Sequence, residues 1–173
     1  MNNQNRWLII VTLTAFCISV VMSLFSTMAL KSVPLLIAIL ITFTFIIIGI
    51  VFDTIGVAVT SGDITVFNSM SARKIKSGKI GVLLVKNASR VSSICCDVIG
   101  DVCGIVSGAC GTVIVTIITN KTNANILLVT VLVSAIISAL TIGGKAAEKS
   151  FAMKESTKII KAVSSFLAIF KKK

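Results

Sequence analysis

A chain of 173 residues that is 55% hydrophobic and only 13% charged, with a mean hydropathy of +1.04, lies far from the composition of a water-soluble domain. Its formal charge of +11 comes from 17 Lys and Arg against 6 Asp and Glu, clustered in two blocks between or after apolar stretches, a pattern of membrane topology rather than nucleic-acid affinity. The absence of histidine removes His-based zinc sites, His general bases and every Ser/His or Cys/His nucleophile pair, so a protein that is not an enzyme is expected.

A bilayer core of ~30 Å is crossed by about 20 helical residues. The first stretch that meets this is 8–30, preceded by Arg6 alone and lacking a small-residue cleavage pattern, which predicts an anchored span rather than a removed leader. Lys31-Ser32-Val33-Pro34 leaves room only for a tight turn before the second span, 33–59. Residues 61–90 then gather Arg73, Lys74, Lys76, Lys79, Lys86 and Arg90; a helical hairpin is expected there, over the weakly periodic part at 69–84.

The third span is 91–119, Asn120 to Asn125 forms a second tight turn, and the fourth span is 126–142. Gly143-Gly144 is expected to break or bend the chain before a basic tail, 145–173. In that tail Ile159, Val163, Phe166 and Phe170 recur at spacings of 4, 3 and 4, with Lys154, Lys158 and Lys161 mostly elsewhere, the pattern of an amphipathic belt helix on the inner leaflet. Lys171, Lys172 and Lys173 would then sit among anionic head groups.

Both turns carry one lysine while the two long segments are strongly basic, so both termini and both basic segments belong in the cytoplasm. The predicted fold is thus all-α: a single transmembrane domain over 1–173, a helical bundle of three core helices plus an extra N-terminal span in the cell (inner or plasma) membrane. The five cysteines fall in apolar segments and read as small packing residues rather than a disulfide framework.

Ser93, Asp97 and Asp101 are four apart in the third span and would share one face of an α-helix. Ionised carboxylates at membrane depth are costly and repel each other, a conflict that a bound cation resolves. Asp53, near the cytoplasmic end of the second span, is the third acidic candidate. Carboxylates and hydroxyls are hard oxygen donors, suited to Mg²⁺, Ca²⁺ or Na⁺. The alternatives are protonated aspartates hydrogen-bonded between helices, or a proton path. Gly100, Gly104, Gly108 and Gly111 form a stripe that lets another helix approach, within the monomer or across a dimer.

Over residues 52–163 these motifs resemble the transmembrane domain of the CNNM and CorB/CorC family of magnesium transporters. Phe52-Asp53-Thr54-Ile55-Gly56-Val57-Ala58 is similar to a family stretch in which Asp53 falls on a metal-binding serine and Gly56 on a polar residue. Asp97 and Asp101 match the spacing of two ion-binding asparagines in the family's next core helix, with Ser93 one turn earlier. Thr141-Ile142-Gly143-Gly144-Lys145 is similar to a Glu-x-x-Pro-Lys-like motif, keeping the lysine but neither the glutamate nor the proline. The resemblance implies a homodimer and a metal site from Asp53, Ser93, Asp97, Asp101 and Thr141. It also implies a belt helix and, in 173 residues, no nucleotide-binding CBS pair.

The expected function is transport of a divalent cation, foremost Mg²⁺, by alternating access, with Na⁺ as the other candidate ion. The competing expectations are a non-transporting accessory or assembly protein and a Na⁺- or H⁺-coupled carrier of another solute. Membrane lipid, a second copy and the cation are the expected partners, nucleic acid is not.

Overall fold

Pro34 can begin a helix but not continue one, because it lacks an amide hydrogen and fixes its own φ. Its carbonyl accepts from the amides of Ile37 and Ala38 at 3.0 and 3.1 Å, so the second long helix starts just beyond it. The computed structural model describes residues 3–30 and 33–170. The Lys31-Ser32 half of the first turn, the Phe170 side chain and the lysines at 171–173 lie outside what is described.

The described residues are all-helical, without a strand. In chain order the helices are α1 (Asn3–Leu30), α2 (Leu35–Thr60), α3 (Ile64–Ala72), α4 (Lys76–Lys86), α5 (Ala88–Ser92), a π-helical segment (Ser93–Gly100), α6 (Asp101–Thr122), α7 (Ile126–Lys154) and α8 (Ser156–Phe170). Three helical stretches, Leu35–Thr60, Ala88–Thr122 and Ile126–Lys154, are long and apolar enough to cross a membrane; α1 contributes a shorter apolar run, Ile9–Leu24. The surface agrees with a lipid surround. Leu127, Leu132 and Ile142 on α7 are 65%, 62% and 68% exposed, an apolar display that water does not tolerate over such an area.

The chain divides into two compact units, 1–50 with 98–144, and 51–97 with 145–173. In the first, α1 packs on α6, and the core gathers Ala38 with Val102, Val106, Cys110 and Ile114, flanked by Met22, Phe45 and Val133. Buried hydroxyls here return to their own helices, Thr42 to the Ala38 carbonyl at 2.8 Å and Ser107 to the Gly104 carbonyl at 2.8 Å, so neither of these donors is stranded in apolar surroundings. Asn123 closes α6 in the left-handed conformation at φ 50°. The Asn125 side chain accepts from the Leu127 amide at 3.0 Å and caps α7.

In the second unit the hairpin expected within 69–84 is formed by α3 and α4. It begins earlier than periodicity suggested because Asp63 caps α3, accepting from the Thr65 hydroxyl at 2.7 Å and the Thr65 amide at 2.8 Å. Those two bonds hold the Asp63 carboxyl below its ordinary range. Phe67 is fully buried with Ala58, Val59, Ala152 and Ile160, and α8 packs on α4.

Three expectations are corrected. Gly143-Gly144 does not break the fourth span: α7 continues to Lys154, and the chain turns at Glu155. Gly144 serves close approach instead, for a Cβ there would collide with the Ile50 side chain, while a Cβ on Gly143 would meet nothing. The third span is not a uniform α-helix, since residues 93–100 take the wider π turn, an irregularity found mostly at functional positions. On α8 the most buried positions are Ser156, Ile160 and Ser164, whereas Val163 is half-buried and Phe166 is 60% exposed. The apolar face is therefore divided between α4 and the surroundings.

Candidate carboxylate site

The second unit brings the turn of α2 that carries Asp53 against the start of the π-helical segment. Contact is that close because residue 56 is glycine: a Cβ there would overlap Cys96 Sγ and crowd Cys95 and Ser92. Cys96 uses the space, donating to the Asp53 backbone carbonyl at 3.7 Å and pairing with the Ser92 hydroxyl at 3.7 Å. The thiol thus ties the Asp53 turn to the segment that bears Ser93 and Asp97.

Glu148 reaches the same region from the C-terminal part of α7. The polar groups around its carboxylate are Thr54, Asp53 and Lys145. Both carboxylate oxygens have lost almost all contact with solvent, yet neither has a hydrogen-bond partner within bonding distance; Thr54 is the hydroxyl on their side. A buried carboxylate without donors is unstable as an anion unless a cation or a proton joins it. Two acids and a hydroxyl thus supply hard oxygen donors, with the Lys145 ammonium as a competing positive charge beside them.

The predicted site residues are distributed as follows. Asp53 and Ser93 are half-buried in the second unit, and Asp97 is exposed there. Asp101 is exposed in the first unit, where the Thr141 hydroxyl donates to the Ile137 carbonyl at 2.8 Å. Thr141 also lines a groove of about 220 Å³ with Gly104, Gly108, Ser134 and Ser138. Among the described residues no three His, Cys, Asp or Glu side chains converge as metal ligands would. The two acids close enough to feel each other's charge are Asp53 and Glu148.

Glu148 is hidden in the sequence because the glycine pair reads as the end of the span and assigns the residue to the basic tail. An unbroken period past residue 144 would have placed one acid, among Lys145 and Lys149, on a helix still packed in the bundle. These features define a helical protein of membrane character with a carboxylate pair and an orphaned acid. No family model, no curated protein and no solved structure matches the chain.

Proposed function

We propose that this protein transports a divalent cation, Mg²⁺, across the cell membrane by alternating access, using a carboxylate site within its helices. The observation that carries the reading is the Glu148 carboxylate, closed off from solvent, without a hydrogen-bond partner and beside Asp53. Mg²⁺ gives up water reluctantly and is held through one or two carboxylates while keeping several waters. An acidic pair with the Thr54 hydroxyl suits that mode better than a full cage. Asp97 and Ser93, on the segment tied to Asp53 by Cys96, extend the oxygen donors in the same unit. Asp101, in the other unit, enters the proposal from its spacing to Asp97 in the sequence alone.

The resemblance to the CNNM and CorB/CorC transmembrane domain supports the choice of Mg²⁺, with the site's charge carried by Asp53 and Glu148. A homodimer belongs to the same proposal: the Gly104/Gly108 groove, with Ser134 and Ser138 opposite, suits a helix of a second copy.

The test is Mg²⁺ flux into liposomes, with calorimetric Mg²⁺ binding measured alongside. Asp53→Asn and Glu148→Gln are each expected to weaken binding by more than about tenfold, since loss of even an outer-shell partner has that effect, and to suppress flux in proportion. Asp97→Ala with Asp101→Ala should slow flux as well. Unaltered binding and flux in the Asp53→Asn/Glu148→Gln protein would remove the site, and a wild-type protein that moves no ion would favour the non-transporting accessory role.

A further inference from the structure

Three helices of the first unit leave a furrow between them with wholly apolar walls. Ile39 and Phe43 from α2, Ile114 and Ile118 from α6, and Val133 and Ile137 from α7 border a groove of about 250 Å³. Thr42 also stands on the wall, but its hydroxyl turns back to the Ala38 carbonyl at 2.8 Å, so no polar atom faces the groove. The furrow opens sideways rather than into the core: Ile39 and Phe43 are each 48% exposed, and the most apolar stretch of α7 contains no buried residue.

The position along the helices narrows what can lie there. Ile39 is one turn inside the start of α2 at Leu35, and Ile118 one turn before the end of α6 at Thr122, about 6 Å in each case. The groove therefore begins just below the Asn123 turn and occupies the neighbouring half of a hydrocarbon core that is ~30 Å thick. Ile114, Ile118 and Lys121 follow one another at spacings of 4 and 3, so the exposed Lys121 stands on the groove's own face of α6, one turn beyond its end. A helix of a second copy, ~10 Å across with its side chains, is too wide to enter a furrow of this size. An apolar cavity of ~150 Å³ already holds a benzene-sized group and stays dry, so a stretch of hydrocarbon chain is the guest that fits, and the cation above it matches a phosphate.

We infer that this groove is a binding site for one acyl chain of a phospholipid from the leaflet beside the Asn123 turn, with the lipid's phosphate at the Lys121 ammonium. Between hydrocarbon and Leu or Ile side chains there is no hydrophobic gain inside a bilayer. The chain is held because three helices surround it at a density that fluid hydrocarbon does not reach. It braces α7 against α2 and α6 where side chains alone leave a gap. The site belongs to the packing of the first unit and is independent of Mg²⁺ transport, so a protein that moves no ion leaves it standing.

Native mass spectrometry of the full chain, released from mild detergent supplied with dioleoyl phosphatidylglycerol, provides the test. One phospholipid per chain is expected to survive collisional activation that strips the rest. Ile39→Trp, which fills the furrow from α2, should abolish that retention, and Lys121→Gln should lower it roughly fivefold. Leu132→Trp, on an exposed part of α7 away from the groove, should leave it unchanged. Val133→Phe fills the same space from α7, should Ile39→Trp disturb folding. Melting in detergent gives a second readout: the phospholipid should raise the wild-type melting temperature but not that of either filled variant. Absence of a retained phospholipid overturns the inference, as does equal retention in the filled variants, which puts the lipid elsewhere. So does displacement by equimolar oleic acid with Lys121→Gln silent, which means no phosphate is read, and so does a dimer that separates on Ile39→Trp while lipid retention persists, which means protein covers the groove.

Discussion

Glu148 is held at a cost that the nearby Lys145 ammonium and Thr54 hydroxyl offset only in part. A buried polar group left without a partner destabilises by roughly 1–3 kcal/mol, more when charged, and both oxygens of this carboxylate are in that position. Such residues mark places where stability is sacrificed for binding. Glu148→Gln should therefore raise the metal-free melting temperature in detergent, by an amount equivalent to about 1–3 kcal/mol, while abolishing the rise that Mg²⁺ gives the wild type through binding the native state alone. A variant that melts lower than wild type without metal would mean that Lys145 or Thr54 already satisfies the carboxylate. Asp53 was legible in the sequence because it is an acid inside an apolar run. Glu148 was not, since it stands among lysines and only the unbroken course of α7 brings it to Asp53. Gly56 and Cys96 also escaped notice as positioning residues, for their roles depend on a contact between helices distant in sequence.

The helices themselves were mostly legible, because long apolar runs admit few other conformations in lipid. Leu35–Thr60 and the start of α7 at Ile126 fall within two residues of the expected bounds. The errors arose where local propensity and packing disagree. Two successive glycines weaken a helix by about 1 kcal/mol each relative to alanine, which argues for a break, but Gly144 lets Ile50 pack against the backbone and that contact is available only if the helix continues. The two glycines should consequently behave differently. Gly143→Ala faces open space and is expected to stabilise by about 0.5–1 kcal/mol, whereas Gly144→Ala must displace Ile50 and should destabilise by about 1–3 kcal/mol. Thermal unfolding of the two variants in one detergent decides it, and equal shifts of the same sign would return the pair to the role of a simple break. The π turn at 93–100 had no sequence signature, since small and apolar residues pattern alike for a ladder of i+4 or i+5 bonds.

Charge distribution predicts an orientation in the membrane, and the structure sharpens where the charges lie. The exposed cations of α3–α4 and α8 belong to one compact unit, 51–97 with 145–173, together with Asp53 and Glu148. The turn at 123–125 has only Lys121 near it. Basic segments are retained on the cytoplasmic side, so the carboxylate pair should lie toward the cytoplasmic mouth and the Asn123 turn should face the opposite compartment. Labelling with a membrane-impermeant maleimide tests this in a background free of the five native cysteines. Asn123→Cys should react in intact cells, and Lys79→Cys, exposed on α4, only after the membrane is opened. The reverse pattern would put the carboxylates at the outer mouth, where an ion meets them before crossing rather than after. The proposed site could then serve uptake as an entry filter but not collect Mg²⁺ from the cytoplasm, so the labelling result fixes which side of the membrane loads the ion even before flux is measured.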